Sequence, residues 1–158
     1  MFTVGDKVVY PMHGAGVIEA IEEKEVLGEK RKYYVMRLPL SEMKVMIPFD
    51  NVGGTGLRQV IDEAGFQKVL KILQDPKNDM STSWNLRYRA NLEKIKGGNI
   101  YEIAEVVKNL SIRDREKGLS AGEKKMLESA RQILISELVL AKDVEEPQVK
   151  NLLEGVLT

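Results

Sequence analysis

Short apolar runs, rich in β-branched and aromatic residues, dominate the first fifty positions of the chain. They cover residues 8–10, 16–21, 33–38 and 44–47. Turn residues such as Pro11, Gly14 and Gly28 separate them. This composition is typical of strands, and the turns between the runs favour antiparallel pairing. Four or five such strands in about fifty residues predict a small, strongly bent sheet or barrel.

Beyond Gly56 the hydrophobic spacing lengthens from about two residues to about 3.6, which predicts helices. The first helix is expected from Leu57 onward and to end before Pro76. Candidate N-caps for three further helices stand at residues 81–83, Asn99 and Ser120. Glu123 completes a capping box with Ser120, and Pro147 suits the first turn of a fifth helix.

The change of period divides the chain into two predicted domains. Residues 1–54 form the first and residues 57–158 the second, on either side of a glycine-rich junction. The predicted fold class is α+β, with an N-terminal Tudor/SH3-like small β-barrel followed by an all-helical bundle of about five helices.

The charge balance argues against a generic polyanion binder. The chain has 24 basic and 24 acidic residues and a formal net charge of zero. Between residues 57 and 119, however, 12 Lys and Arg stand against 9 Asp and Glu, so the middle of the chain is modestly basic.

Enzymatic chemistry is poorly represented in the sequence. There is no cysteine, and a metal site at the only histidine, His13, would need carboxylate partners that have no recognisable spacing here. No nucleophile–base–metal constellation can be assembled. His13 is expected to have a turn or packing role. We expect no catalytic residue, no metal and no cofactor. No apolar stretch could span a bilayer and no signal peptide is evident, which predicts a cytoplasmic protein without membrane contact.

The only tryptophan, Trp84, stands at the polar start of a predicted helix. Helical spacing places it on one surface stripe with Arg87, Asn91 and Lys94. That grouping suits a duplex, since cations neutralise phosphates while a large ring stacks on, or inserts beside, an unstacked base. The alternative is that Trp84 packs under the preceding loop and the cations form a solvated face. The core face of this helix is expected to carry Tyr88, Leu92 and Ile95.

Further cations gather around the predicted helix corner at Gly118. Lys124 and Lys125 are the members that we count as DNA-contact candidates. For any one of these cations, a solvated helix junction is an equally good interpretation.

Two segments resemble a known family. Residues 4–14, Val-Gly-Asp-Lys-Val-Val-Tyr-Pro-Met-His-Gly, resemble the opening of CarD/CdnL-type proteins and of the RNA-polymerase-interacting module of transcription-repair coupling factors. The stretch from Trp84 to Lys94 and residues 115–124 resemble the helical domain of CarD/CdnL. Because both domains agree in order and length, the chain is identified as similar to CarD/CdnL over nearly its whole length.

The resemblance implies a transcription regulator. Its Tudor-like domain would dock on the β subunit lobe of RNA polymerase, and its helical domain would reach the upstream edge of the transcription bubble. The residue matching Trp84 would wedge into the minor groove near the −10 element, and the residue matching Arg89 would help hold the DNA backbone. The expected result is a more stable open complex of the primary sigma factor holoenzyme. The regulator itself is expected to be a monomer.

The same resemblance implies that the polymerase-binding residues lie on exposed strands of the N-terminal sheet. The matching positions include Lys24 and residues 45–47. Some relatives carry arginine where this chain has Met46, which favours an apolar or backbone-strand contact here. Strand alternation predicts that Val45 and Ile47 point inward and Met46 outward.

Two other functions remain open at this point. An RNA-binding module would need exposed aromatics on the barrel and a basic excess, and the near-neutral N-terminal part argues against it. A protein adaptor, in which Trp84 is a hot spot for another protein, is compatible with the sequence.

Overall fold

The computed structural model describes residues 2–51, 56–78 and 80–157. The predicted α+β organisation is confirmed. Five antiparallel strands form one open sheet, and five α-helices follow it in the described part of the chain. Among these helices, none is both long and apolar enough to cross a lipid bilayer.

The sheet has the strand order β4-β3-β2-β1-β5, which leaves β4 and β5 at its edges. Its strands are β1 (Lys7–Tyr10), β2 (Gly14–Val26), β3 (Glu29–Leu38), β4 (Met43–Pro48) and β5 (Arg58–Gln59), with a short 3-10 helix over Phe49–Asn51. Alternate residues of strands β1 to β4, among them Val8, Ile18, Tyr34, Met36 and Ile47, bury one face of the sheet as its core. The predicted strands are therefore confirmed.

Strand β5 corrects the prediction of a helix from Leu57. Arg58 pairs with Val9 of β1, so the sheet continues beyond residue 57, where the second domain was predicted to begin. The predicted junction at residues 53–55 lies outside the described residues. The first helix, α1, covers Glu63–Gln74. It begins at Glu63 because the side chain of Asp62 caps it, accepting a hydrogen bond of 2.9 Å from the backbone N–H of Gly65.

The remaining helices begin and end close to the predicted signals. They are α2 (Trp84–Gly97), α3 (Ile100–Glu116), α4 (Ala121–Lys142) and α5 (Glu146–Leu157). Asn99 and Ser120 cap α3 and α4 through their side chains, whereas Ser83 precedes α2 without a side-chain capping bond. Gly98 ends α2 in the left-handed region at φ 76°, a conformation that glycine adopts without strain.

Helix α4 also contacts the sheet, through polar groups. The backbone N–H of Ala15 donates to Ser136 Oγ at 2.9 Å. Arg58 donates two hydrogen bonds of 2.7 Å to the carboxylate of Glu137, and also bonds the carbonyl of Gly98. Directional bonds of this kind set the position of the sheet on the helices more narrowly than apolar contact alone.

Candidate nucleic-acid interface

Trp84 is the first residue of α2 and is 43% exposed. Its indole Nε1–H donates a hydrogen bond of 3.0 Å to Ser120 Oγ at the start of α4. Its ring stacks on Tyr88, with centroids 4.9 Å apart and planes 19° from parallel. Tyr88, one helical turn later, packs in turn against the helical core. A large aromatic surface is thus held in place and still partly open to solvent.

Arg87 does not lie on the surface stripe that helical spacing predicted. Its side chain is only 2% exposed and forms two hydrogen bonds with Glu123 of α4, at 2.7 Å and 3.0 Å. Its Nη1 also donates to the carbonyls of Ser81 and Thr82, in the loop that leads to Trp84. A buried arginine needs such partners, because an unpaired buried charge is strongly unfavourable.

The pairing shifts both ionisation equilibria. The hydrogen bonds and charge of Arg87 lower the pKa of Glu123 from its ordinary value despite burial, with smaller contributions from Arg113 and Ser120. Glu123 in turn raises the pKa of Arg87. Both groups are therefore charged at neutral pH, and their hydrogen bonds join α2 to α4.

Asn91 is buried as well, at 2% exposure, and its Nδ2 donates to the sulfur of Met80 at 3.2 Å. The prediction of a four-residue surface stripe is therefore wrong for Arg87 and Asn91. The spacing was correct, since these residues do share one face with Ile95, but that face is buried. The predicted core positions Tyr88 and Leu92 are half-buried and pack against the helical core.

The other predicted DNA-contact residues are solvent-accessible. Lys94 is half-buried and its ammonium lies 3.1 Å from the carboxylate of Glu105. Arg89, Lys124 and Lys125 are exposed, and none has an ion-pair partner among residues 2–51, 56–78 and 80–157. Lys124 and Lys125 belong to the first turns of α4, close in sequence to Ser120, which contacts the indole.

The residues expected to contact polymerase lie on the sheet. Lys24 is exposed on the long β2–β3 hairpin, opposite Arg31. Met46 lies on the edge strand β4, where it is half-buried and pairs with Val35 of β3. Ile47 is fully buried and Val45 packs against the sheet core, so both inward orientations are confirmed.

His13 packs in the β1–β2 turn, as predicted. Its ring stacks on Tyr10 at 4.6 Å and its Nδ1 lies 3.2 Å from the carbonyl of Pro11. Within the described ranges, no three His, Asp or Glu side chains come together in a group that could hold a metal ion.

Two family models match the chain, in the order of its two structural parts. The CarD-like/TRCF RID domain matches residues 2–61, and the CarD C-terminal domain matches residues 68–154. The chain is also 48% identical over 151 residues to YdeB of Bacillus subtilis (strain 168), named as a candidate transcription factor. That alignment covers 96% of this chain and 99% of YdeB. The chain belongs to the CarD-like family of transcription factors.

A solved structure of a CarD protein is also similar in sequence. It is the solution NMR structure of the 72-residue N-terminal domain of Myxococcus xanthus CarD, 39% identical, and the match covers 37% of this chain and 79% of that one with a TM-score of 0.33. In the CarD-like chain described here, the RID match includes β5, Lys24 and Met46, while the C-terminal match includes every predicted DNA-contact residue.

The sequence did not reveal the contacts that hold Trp84 and its neighbour Arg87 in place. Ser120 and Glu123 were identified only as a capping box, yet Ser120 also accepts the indole hydrogen bond and Glu123 holds Arg87. The available signal was an arginine one turn after the tryptophan and a glutamate at the start of another helix, but their meeting depends on the packing of α2 against α4.

Proposed function

We propose that this CarD-like protein stabilises the open promoter complex. Its sheet binds the β subunit lobe of RNA polymerase, and its helical part binds promoter DNA at the upstream edge of the bubble, near the −10 element. It acts with the primary sigma factor holoenzyme, in the cytoplasm and as a monomer. The observation that carries the proposal is the exposed, stacked and hydrogen-bonded ring of Trp84 at the start of α2.

A tryptophan held in this way suits a partly unstacked duplex. Base–aromatic stacking tolerates any base, because every base has a π-face, and it is worth about 1–3 kcal/mol per base. Apolar wedges at minor-groove steps act through the same unstacking. The ring of Trp84 is already ordered by Tyr88 and Ser120, so little side-chain entropy is lost on contact.

Phosphate contacts are assigned to the exposed cations. Arg89, Lys124 and Lys125 are free to approach the DNA backbone, and the first turn of α4 adds the positive end of a helix dipole. Lys94 can contribute if a phosphate replaces Glu105 as its partner. Arg87 and Asn91 do not reach the DNA in this proposal, since both are buried; Arg87 supports the loop before Trp84 instead.

Polymerase binding explains how a protein without net positive charge acts on DNA. Tethering to polymerase converts DNA contact into an intramolecular step, with effective concentrations on the order of millimolar. The protein then favours opening by the difference between its affinities for the open and closed DNA. A difference of about 1.4 kcal/mol changes the open-to-closed ratio tenfold.

The outer edge of β4 is the proposed polymerase contact. The strand order leaves that edge without a neighbour among the described strands, and an extended segment can add to such an edge through backbone hydrogen bonds. Met46 on β4 and Lys24 on the hairpin would provide the side-chain contacts. Substitution Met46→Asp would place an unpaired charge in this contact and should lower polymerase affinity about tenfold, or by about 1.4 kcal/mol. Met43→Asp, on the same strand and 55% exposed, should lower it much less.

A promoter footprint tests the DNA contact separately from polymerase binding. Trp84→Ala should remove the protection added at the upstream bubble edge while leaving polymerase affinity unchanged. Leu86→Ala is the matched control, because Leu86 is a large exposed apolar residue of the same helix, and its footprint should stay intact. If Trp84→Ala leaves the footprint unchanged, the DNA-contact role is wrong and a protein adaptor becomes the better account.

A further inference from the structure

Two groups fix the orientation of the Trp84 ring from different directions. Tyr88 stacks against one face of the indole, and Ser120 binds the N–H edge. Trp84 is nevertheless 43% exposed, and Tyr88 is the only aromatic ring among the described residues that stacks on the indole, so the opposite face is the one we assign to a ligand. Trp84 therefore offers one face, not two, to a ligand.

The position of the Ser120 hydroxyl is itself fixed by the backbone. As the N-cap of α4, its Oγ accepts the backbone N–H of Glu123 at 3.2 Å while it accepts the indole N–H at 3.0 Å. A serine hydroxyl has two acceptor lone pairs, so both bonds are compatible. The start of α4 thus sets the location of the indole edge.

The buried pair of Arg87 and Glu123 holds α2 against α4 near the residues that carry and bind the indole. Arg87 and Glu123 form two hydrogen bonds between these helices, three residues after Trp84 and three residues after Ser120. The distance between the indole and its acceptor therefore does not depend on flexible surface side chains alone.

We propose that Ser120 is a positioning residue for Trp84 and that Trp84 contacts the promoter through a single ring face. The ring then stacks against the terminal base pair at the bubble edge, with Tyr88 behind it, and does not insert between two base pairs. Insertion between two base pairs would require the second face, which Tyr88 covers. This inference rests on the proposed function and specifies how its DNA contact is made.

Ser120→Gly is the decisive variant because it removes the hydroxyl and keeps a residue that is well tolerated at an N-cap. We expect it to shorten the lifetime of the factor-bound open complex about fivefold, as for the loss of one neutral hydrogen bond. Ser120→Thr keeps the hydroxyl and should retain most of the lifetime. Polymerase affinity and thermal unfolding should change little in either variant.

A double-substitution cycle separates positioning from helix capping. Trp84→Phe keeps an aromatic ring but has no N–H donor, so Ser120→Gly should have no further effect in the Trp84→Phe background. Because Trp84 is the only tryptophan, its fluorescence anisotropy in the free protein reports ring mobility directly, and Ser120→Gly should lower it.

Base-specific fluorescence tests the single face. Promoter DNA carrying 2-aminopurine on either side of the bubble-edge step is compared in complexes with wild-type protein. Quenching at one of the two positions supports stacking through one face, whereas equal changes at both indicate insertion and overturn this part of the proposal.

The outcomes are distinguishable from failure of the proposed function. A normal open-complex lifetime with Trp84→Ala would refute the DNA contact and the single-face proposal together. A shortened lifetime with Trp84→Ala but a normal one with Ser120→Gly would refute only the positioning role. An equal loss from Ser120→Gly in both backgrounds would show that Ser120 acts through the cap of α4 and not through the indole.

Discussion

Replacing Arg87 by methionine should destabilise the protein severely. The substitution leaves the carboxylate of Glu123 buried, with both side chains of the pair only 2% exposed in the native protein, and it removes two hydrogen bonds of 2.7 Å and 3.0 Å. Removing one partner of a buried pair of this kind costs about 3–5 kcal/mol, mainly because the other charge loses its compensation. The two bonds to the loop carbonyls of Ser81 and Thr82 are lost as well.

Urea unfolding followed by far-UV circular dichroism measures this change without relying on the nearby tryptophan. Lys94→Met is the matched control, because Lys94 lies on the same helix and its pair with Glu105 is partly exposed. That control should cost no more than about 1 kcal/mol. Combining Arg87→Met with Glu123→Leu should recover much of the loss, since no charge then remains buried. A loss for Arg87→Met as small as that of Lys94→Met would refute the reasoning.

Three further predictions concern other parts of the molecule. Because Arg87 lowers the pKa of Glu123, the pair should contribute stability above the ordinary carboxyl pKa of 4.5, and this contribution should be lost as pH falls through the lowered native pKa. Unfolding at a series of pH values should therefore show a smaller loss of stability on acidification in Arg87→Met than in the wild-type protein. Glu137→Gln should lower the free energy of unfolding by about 1–3 kcal/mol in the same denaturation assay, because it weakens the two hydrogen bonds from Arg58. The loss is limited because the Arg58 side chain is 30% exposed and water can hydrate it instead. Leu27→Asn should raise the free energy of unfolding by about 0.5–1 kcal/mol, since Leu27 is fully exposed at φ 53° in the hairpin turn and asparagine tolerates this conformation better; an unchanged or lower melting temperature would contradict that reasoning.

Much of the fold was predictable because local patterns agree with tertiary packing. The alternation around Val8 and Ile47 places them in the sheet core, and the caps at Asn99 and Ser120 mark the true starts of α3 and α4. The region after Leu57 was misassigned, because its apolar residues have helical spacing while the two-residue strand β5 is defined only by pairing with β1.

The candidate site was predicted less completely, for a physical reason. The start of α2 at Trp84 follows from the polar residues before it, whereas the exposure of Trp84 was one of two interpretations that the sequence left open. The burial of Arg87 and Asn91 does not follow from the sequence, because a helical wheel shows which residues share a face and not whether a neighbouring helix covers that face. The roles of Ser120 and Glu123 depend on contacts 36 residues apart in sequence, which no local pattern encodes.

Open-complex lifetime is the most direct test of the central claim. It is measured with purified RNA polymerase and its primary sigma factor on a ribosomal-type promoter, without the factor, with the wild-type protein and with Trp84→Ala. We predict that the wild-type protein lengthens the lifetime and that Trp84→Ala, although it still binds polymerase, does not. A lifetime lengthened equally by both proteins, or by neither while both bind polymerase, would contradict the account.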